Sequence, residues 1–503
     1  MHAAILTAKQ RLQNEDKGTM SWREDLRPPA VWEHFYQLTR IPRPSRHEEQ
    51  ISAFLAKFGR DLGLDTAVDE VGDVLIRKPA SAGMEDRSGV ILQAHMDMVP
   101  EKAPDKVHDF ETDPITAYVE EGWLRADGTT LGADDGIGVA LIMTLLKDET
   151  IAHGPLEALF TVNEEDGFTG ADAVQPGVLH GSLLINVDSE EEGTFTIGSA
   201  GGADVDVTGG YAVEPTPAGL TGMRIQITGL QGGHSGIDIN RGRGNAIKLL
   251  ARLLWSAQQE IGLRVASIEG GKGYNAIPRE AAGVVAVPET EVSRLAENVE
   301  AFAATLKQEL ARTEPELQIA VKTATIPDRV MTPDAQRRIV SALYGIPNGV
   351  MRMSDSVPGL VETSTNLGAV SAANGEFSAG FLVRSAVNSA RDDVQQMATS
   401  VFELAGFSAV RKDAFTGWKP NPDSPLLALM QSVYRDQWGH DAAVEAVHAG
   451  LETSEFGATY PGLDMISVGP TIEHPHSPDE RLEIASVGKV YDLLVATLQR
   501  IPA

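Results

Sequence analysis

Acidic residues and histidines recur in this chain directly after short apolar runs, at positions where they could bind metal ions. Five segments have this character: Gln93–Met98, Leu131–Gly138, Phe160–Gly167, Leu184–Glu192 and Pro470–Glu480. Each has an ordinary structural interpretation as a polar strand end, a helix cap or a solvated turn. As a set, they supply the nitrogen and oxygen ligands that a hydrolase with two metal ions needs.

His95 and Asp97 end a strongly apolar run. Because side chains alternate across a strand, both project from one face, where the carboxylate can orient the imidazole for metal binding. Asp134 and Asp135 precede a helical pattern over Gly136–Lys147. This order predicts a strand-to-helix turn, where ligands collect in α/β folds. Helix capping is the alternative role for the aspartate pair.

Acids also cluster in the third and fourth segments. Glu164, Glu165 and Asp166 follow an apolar run directly. Adjacent carboxylates repel one another and are costly to gather at a buried strand end, so a metal ion would offset the repulsion and leave one glutamate free as a base. A solvated turn is the main alternative. In the fourth segment Asp188 is the acid next to the core, whereas the later acids favour a solvated face. The fifth segment is a Pro-punctuated loop with two histidines.

The composition narrows the chemistry that these segments can support. The chain has 503 residues, no cysteine and a formal charge of −29. Without thiols, its metal ligands come from His, Asp and Glu, and the acidic balance argues against a nucleic-acid surface. No apolar run reaches the roughly 18 residues of a membrane span, and the first residues lack a secretory pattern. We therefore expect a cytoplasmic protein with no nucleic-acid or membrane partner.

The segments sit among alternating strands and helices. Apolar runs bounded by turns predict strands at Val74–Lys78, Val90–Met98, Leu156–Asn163 and Leu183–Val187. Helical spacing predicts helices at Val31–Leu38 and Glu48–Leu62. This alternation indicates an α/β layer architecture.

The chain is longer than one hydrophobic core of roughly 250–300 residues, so at least two lobes are expected. The Gly-rich stretch Gly198–Gly202 suggests a boundary between them. Residues 1–19 are polar without strong periodicity and are interpreted as a loose leader. We predict one α/β lobe over residues 20–200 and 390–503, interrupted by an α+β lobe over residues 201–389.

Longer strings resemble the co-catalytic zinc aminoacylase, carboxypeptidase and dipeptidase family, from about Pro29 to the C-terminus. The strings are Val99-Pro100, Val107–Phe110, Gly128–Asp134, Asn186–Gly193, Gly232–Gly236, Asn275–Glu280, His448–Glu452 and Pro475–Glu480. The resemblance implies a zinc-peptidase catalytic domain, with a mixed central sheet flanked by helices, and an inserted α+β lid domain.

The resemblance also implies a ligand set. His95 and Asp188 bind one divalent ion, Glu165 and His476 bind the other, and Asp134 bridges both. Zinc is the expected ion, although the same ligands accept manganese or cobalt. The family often holds a cis peptide bond after the bridging aspartate.

The resemblance further implies the catalytic roles. Asp97 steadies His95, and Glu164 is the general base for a water shared by the two ions. His234 becomes a donor to the developing oxyanion when the lobes close. Whether His234 serves its own active site or that of a partner subunit in a homodimer is left open by the sequence.

Substrate-binding residues follow from the same resemblance. Arg384 binds the terminal carboxylate, a task suited to a bidentate fork. Asn275 and Asn366 assist, and Glu452 receives the free α-amine. From the residues alone, an exposed strand-end charge, turn or cap roles, and a helix-surface glutamate are the respective alternatives.

The activity implied is the hydrolysis of unblocked dipeptides, with aminoacyl-histidine compounds among the family's substrates. The nearest alternative is a deacylase of N-acylated amino acids on the same scaffold, whose substrates lack the free amine. A non-catalytic peptide- or metal-binding protein is the alternative from another class, but every ligand position and Glu164 are filled. The chain departs from the family in its first residues, its lack of cysteine and Asp166, which could alter the electrostatics of Glu164.

Overall fold

The computed structural model describes Arg23 and residues 26–503, so the leader predicted over residues 1–19 lies outside the described residues. The strands are β1 (Asp65–Val68), β2 (Val74–Lys78), β3 (Val90–His95), β4 (Ala117–Glu120), β5 (Trp123–Ala126), β6 (Leu156–Thr161), β7 (Leu183–Asn186), β8 (Thr194–Ser199), β9 (Gly201–Gly210), β10 (Val213–Pro215), β11 (Leu220–Thr228), β12 (Arg264–Gly271), β13 (Ala281–Pro288), β14 (Gln318–Thr323), β15 (Arg329–Met331), β16 (Gly349–Met353), β17 (Val361–Ala373), β18 (Glu376–Ser385), β19 (Ser408–Phe415), β20 (Ala443–Val447), β21 (Asp464–Ser467), β22 (Ile472–Glu473) and β23 (Arg481–Glu483). The helices are α1 (Pro29–Thr39), α2 (Glu49–Asp61), α3 (Ala133–Lys147), α4 (Thr169–Ala173), α5 (Ala246–Glu260), α6 (Val292–Glu309), α7 (Pro333–Gly345), α8 (Asn388–Leu404), α9 (Pro425–Trp438), α10 (Thr453–Thr459) and α11 (Ile484–Arg500).

The described chain divides into two compact units. The first runs to Gly198 and resumes at Asn421–Glu445 and Glu452–Ala503, and the second comprises Ser199–Pro420 and Ala446–Leu451. The second unit extends beyond the expected end at residue 389 because β19 pairs with β9 and α8 packs on β9, β18 and β19. Those elements were expected in the first lobe.

The first unit is built on a mixed sheet whose strands run in the order β1-β2-β6-β3-β7-β21-β8-β20. The pairs β6–β3, β3–β7 and β7–β21 are parallel. Every residue of β3 and β6 is buried, as expected for parallel strands covered on both faces, which read as continuous apolar runs. Helix α3 is buried over almost its whole circumference, so it lies inside the core and not on the surface.

A smaller sheet of the first unit has the order β22-β23-β5-β4. Strands β22 and β23 form an antiparallel pair, with Glu473 opposite Arg481, and the loop between them carries His476. Strand β23 also pairs with β5, which precedes the turn into α3. The small sheet therefore holds two of the predicted site segments next to each other.

The second unit is an antiparallel sheet in the order β14-β11-β13-β12-β17-β18-β9-β19, with β16 on β17. It has its own apolar core, to which α5, α6, α7 and α8 contribute. Helix α5 begins after Asn245, whose side chain accepts the N–H groups of Ile247 and Lys248 and so satisfies donors that lack an intrahelical partner. The α/β and α+β fold classes predicted from the sequence are confirmed. None of the helices described is long and apolar enough to cross a membrane.

Candidate active site

The acidic and histidine side chains of the first unit gather at one edge of its central sheet. His95 ends β3, Glu164 and Glu165 follow β6, and Asp188 follows β7. Because these three strands are parallel neighbours, their carboxyl ends open onto the same edge, where α/β folds place their ligands.

Asp134 lies between the two histidines that the sequence singled out. Its Oδ1 is 3.0 Å from His95 Nε2, and its Oδ2 is 3.0 Å from His476 Nε2. His95 Nε2 is also 3.2 Å from Asp188 Oδ1, and His476 Nε2 is 2.9 Å from Glu165 Oε2. The five residues thus form two adjacent groups that share one carboxylate.

Asp97 connects the ends of β3 and β6. Its Oδ1 lies 3.2 Å from His95 Nδ1 and accepts the backbone N–H of Glu164 at 3.0 Å. Its Oδ2 accepts the hydroxyl of Ser45 at 2.7 Å. One buried carboxylate therefore lies beside the ring of His95 and also binds the backbone that carries the glutamate pair.

Asp135 is a further candidate that the sequence analysis assigned no metal-binding role. One donor atom each of His95, Asp135 and Asp188 lie within 4.8 Å of one another, as do those of His95, Asp134 and Glu165. The peptide bond between Asp134 and Asp135 is cis, as the family resemblance implies. Adjacency to Asp134 at a strand-to-helix turn was the signal that could have singled out Asp135.

The acids of this cluster are poorly solvated and repel one another. Burial raises the pKa of Asp188 to about 7, although His95 opposes the shift. Burial raises the pKa of Glu164 well above its usual range, and the charges of Asp188, Glu452 and Glu165 add to this. These shifts have the sign expected for carboxylates gathered in a low-dielectric site without cations.

The pKa values of the two histidines are also raised, which for an imidazole favours the charged form. Hydrogen bonds to Asp134 and then Glu165 raise the pKa of His476 to about 11. Burial opposes a charge on His95, but Asp188, Asp134 and Asp97 together raise its pKa well above the usual value. The neighbouring carboxylates therefore favour the charged form of both imidazoles.

The donor set fits divalent metal ions. The buried oxygens Glu165 Oε1 and Asp135 Oδ2 accept no hydrogen bond from any residue that the structure describes. Buried polar atoms without partners are rare and call for an explanation such as a bound ion. Carboxylates and imidazoles in a cysteine-free site suit zinc, manganese or cobalt.

Glu452 is buried beneath the same edge of the sheet, so the surface interpretation of this residue is wrong. It precedes α10 with a relative exposure of 0%. Its Oε1 accepts hydrogen bonds from Gln93 Nε2 and Thr161 Oγ1, and burial raises its pKa to about 7. Glu452 Oε2 is buried without a hydrogen bond within the described part of the chain.

Two buried charged residues that support the site were given no role from the sequence. Arg43 donates through Nη1 to the carbonyl oxygens of Met96 and Asp97 at 3.0 and 2.8 Å, and through Nη2 to that of Gly132. Glu480 accepts backbone N–H groups from the turn before α3. Neither contact has a periodic or motif-like signature, because each joins segments distant in sequence.

The second unit contains His234 and Arg384 in contact. His234 Nε2 lies 3.3 Å from Arg384 Nη2, and Arg384 is 6% exposed, so it is not an exposed strand-end charge. The Nδ1 atom of His234 accepts the N–H groups of Gly236 and Ile237 at 3.2 and 3.1 Å. Arg384, whose guanidinium can only donate, faces the other ring nitrogen, Nε2.

The two asparagines predicted to assist substrate binding, Asn275 and Asn366, differ in their environment. Asn366 is buried and donates to the carbonyl oxygens of Tyr274 and Ala276 at 3.0 and 2.8 Å, which fixes the segment around Asn275. Asn275 is exposed, and its carbonyl oxygen accepts the N–H of Ser235 at 2.8 Å. Both asparagines thus surround the loop of His234.

The fold and this site define a metallopeptidase: residues 91–500 match the model of peptidase family M20/M25/M40, and the chain belongs to that family. The chain is 42% identical over 484 residues to the cytosol non-specific dipeptidase of Escherichia coli (strain K12), covering 96% of this chain and 100% of that protein. The resemblance found in the sequence is therefore confirmed, as is the predicted enzyme class.

Two solved structures resemble this chain to different degrees. The aminoacylhistidine dipeptidase from Vibrio alginolyticus matches with a TM-score of 0.92 and 43% identity, covering 96% of this chain and 99% of that chain. The aminopeptidase PepT from Bacillus cereus ATCC 10987 matches with a TM-score of 0.55 and 15% identity, covering 95% of this chain and 100% of that chain. The second likeness extends to the fold alone.

Proposed function

We propose that this chain hydrolyses unblocked dipeptides, aminoacyl-histidine dipeptides among them, with two divalent metal ions. The observation that carries the proposal is the position of Asp134, whose two carboxylate oxygens each lie 3.0 Å from a different histidine. A carboxylate shared in this way is what a pair of adjacent cations requires. The names of the relatives, a non-specific dipeptidase and an aminoacylhistidine dipeptidase, favour dipeptides over N-acylated amino acids.

In this proposal, His95 and Asp188 would hold one ion, Glu165 and His476 would hold the other, and Asp134 would serve both. Zinc is the proposed ion because imidazole and carboxylate ligands suit it, and manganese and cobalt are accepted by the same set. Asp97 would orient His95 from the side of Nδ1, opposite the Nε2 atom that faces Asp134 and Asp188, a common supporting arrangement for a ligand histidine. When bound, the ions supply Lewis acidity toward a water and the scissile carbonyl.

Glu164 is the proposed general base. It takes a proton from the attacking water and returns that proton to the departing amine, as a base within hydrogen-bond reach of both can do. Its backbone N–H is held by Asp97, so the same carboxylate that orients His95 also fixes the position of Glu164. Bound cations would lower its raised pKa and keep it ionised at neutral pH.

We assign His234 and Arg384 to anionic oxygens of the substrate. The side chains of His234 and Arg384 are in contact, and burial lowers the pKa of His234 to about 4, with Arg384 adding to the shift, so the imidazole is neutral. A neutral imidazole donor suits a developing oxyanion, and a guanidinium suits a terminal carboxylate. Asn275 and Asn366 are assigned to the support of this loop.

Glu452 is assigned to the free α-amine. Its Oε2 has no hydrogen bond among the described residues, and an ammonium group would supply that missing partner. An N-acylated amino acid lacks this group. The assignment thus distinguishes the dipeptidase from a deacylase on the same scaffold.

A single experiment tests the proposed function. Metal-stripped protein is assayed with each divalent ion added back, against a panel of dipeptides and the corresponding N-acetyl amino acids. We expect turnover of dipeptides only, with two ions per chain at full activity. Turnover confined to N-acetyl amino acids would establish the deacylase, and binding without turnover would establish a non-catalytic protein.

A cytosolic location and a homodimer complete the proposal. The first is supported by the name of the Escherichia coli relative, and the second rests on the family resemblance. Cell fractionation and light scattering of the purified chain measure them directly.

A further inference from the structure

Glu480 is a buried carboxylate that holds the turn leading into α3. Its relative exposure is 2%. Oε2 accepts the N–H groups of Leu131 and Gly132 at 2.7 and 3.0 Å, and Oε1 accepts that of Ala133 at 2.7 Å. The N–H of Asp134 lies 3.4 Å from the same Oε1. One side chain thus satisfies the backbone donors of successive residues, up to the one that carries the shared carboxylate.

The two loops joined by Glu480 carry different metal-ligand candidates. Glu480 follows His476 in the loop between β22 and β23, whereas Asp134 follows the turn that comes after β5. The loop of His476 has little regularity of its own, since His474 and His476 both adopt a φ of 57°. Positive φ is uncommon for residues with a side chain and persists where surrounding contacts determine it.

The opposite group of ligands is held by other contacts. His95 ends a central strand, and Arg43 donates to the carbonyl oxygens of Met96 and Asp97 beside it. Asp97 is in turn held by Ser45. Arg43 also donates to the carbonyl oxygen of Gly132 in the turn held by Glu480, but Glu480 itself binds that turn and lies in the loop of His476. A change at Glu480 therefore acts most directly on Asp134 and His476.

We propose that Glu480 is a positioning residue that sets the affinity of the metal ion held by Glu165 and His476. By fixing the turn before α3 against the loop of His476, it holds Asp134 Oδ2 and His476 Nε2 at their separation of 3.0 Å. The inference rests on the proposed function. Residues that orient metal ligands typically change metal affinity by about 10–100-fold when replaced.

The test is a titration of metal-stripped protein with Co²⁺, whose visible absorption reports each bound ion. We expect the unsubstituted chain to bind two ions. In Glu480→Gln an amide nitrogen replaces one acceptor oxygen and faces backbone donors, so the ion held by Glu165 and His476 should bind about 10–100-fold more weakly. The other ion, which shares only Asp134 with it, should lose less affinity. Glu480→Asp keeps both oxygens on a shorter side chain and should weaken the ion held by Glu165 and His476 less than Glu480→Gln does.

Glu157→Gln is the matched control. Glu157 is also buried, at 5% exposure, and its Oε2 accepts the N–H groups of His180 and Gly181 at 2.7 and 2.8 Å. It lies near the start of β6, away from the strand end that leads to the glutamate pair. We expect this variant to lower the Tm of the metal-free protein as Glu480→Gln does, yet to bind both ions with unchanged affinity.

The outcomes separate this inference from the function on which it rests. An unvaried chain that binds fewer than two ions contradicts the proposed function, and the inference with it. If the unsubstituted chain binds two ions and Glu480→Gln binds both with the same affinity, the inference alone is overturned. The same holds if Glu157→Gln loses metal affinity to the same extent as Glu480→Gln. If circular dichroism shows that Glu480→Gln does not fold, Glu480→Asp decides: weaker binding of the ion held by Glu165 and His476 supports the inference, and unchanged affinity overturns it.

Discussion

Asp97 Oδ1 lies 3.2 Å from His95 Nδ1 and accepts the backbone N–H of Glu164 at 3.0 Å. A single oxygen therefore links the orientation of a metal-ligand candidate to the position of the proposed base. Replacement of Asp97 should accordingly affect both metal affinity and turnover.

Asp97→Asn should lower metal affinity and turnover by about 10–100-fold each, because the amide polarises the His95 ring less than a carboxylate does. Calorimetric titration with Zn²⁺ and steady-state kinetics measure the two effects. Asp127→Asn is the control, since Asp127 has a side chain 67% exposed and pairs with Lys106. Equal results for the two variants would remove Asp97 from the supporting role.

Glu164→Gln should reduce turnover by about 10²–10⁴-fold, the typical contribution of a general base, while the protein retains both ions. Elemental analysis and single-turnover kinetics check the two statements. The neighbouring Asp166→Asn should leave turnover nearly unchanged, because Asp166 is exposed and lies 2.5 Å from Arg46 Nε. This ion pair offsets the charge that could otherwise disturb Glu164. Normal turnover in Glu164→Gln would show that another group accepts the proton.

Metal binding should release protons and weaken as the pH falls. In the metal-free protein Asp134 and Glu165 raise the pKa of His476 to about 11, so this histidine is protonated at neutral pH and must lose its proton to bind a metal ion. For each proton displaced, apparent affinity should rise about tenfold per pH unit below that pKa. Calorimetry in buffers of different ionisation enthalpy counts the protons; a heat independent of the buffer would contradict this prediction.

Arg384→Lys should raise KM for dipeptides by about 10–100-fold with a smaller effect on kcat, since a point charge replaces a bidentate fork worth about 1.5–3 kcal/mol per charged hydrogen bond. Arg391→Lys is the matched control in the same unit. Arg391 is also 6% exposed, but it donates to Asp392 and to the carbonyl oxygen of Phe415. A similar rise in KM for both variants would indicate a structural effect.

Stability should depend on the protonation of Asp73, which lies before β2. Burial, and then the charge of Asp69, raise the pKa of Asp73 from 3.8 to about 8. An acid with a raised folded-state pKa destabilises the fold as the pH rises from the unfolded value to the folded one, because only the unfolded chain ionises in that window. Asp73→Asn keeps an acceptor for the N–H of Val162 and should flatten the decline in Tm between about pH 4 and 8. Thermal melts across that range, with exposed Asp65→Asn as control, test this, and parallel profiles for the two variants would contradict it.

The sequence predicted the central strands well because parallel buried strands leave continuous apolar runs. Strand β2 has its predicted bounds, Val74–Lys78, and β3 begins as expected at Val90. The metal-ligand candidates could be predicted from the sequence for the same reason, since they follow those runs directly. The pairing of β19 with β9 could not be predicted, because strand pairing between distant segments has no local signature in the sequence.

Supporting residues were the hardest to predict. Arg43 and Glu480 act through backbone groups of segments far along the chain, and a charged residue in a sequence does not indicate such partners, even where it lies in a motif as Glu480 does. From its sequence Glu452 could be interpreted as a helix-surface residue, whereas the fold buries it completely. Burial of a charge depends on tertiary packing, which periodicity does not encode.

The residues around the shared carboxylate are spread from His95 to His476. A nascent chain on the ribosome therefore lacks a full set of donors until its last ligand has emerged, however early the central strands begin to pair. Translation products that stop short of that loop would carry the carboxylates of Asp134, Glu165 and Asp188 without the imidazole of His476, and would bind cations more weakly.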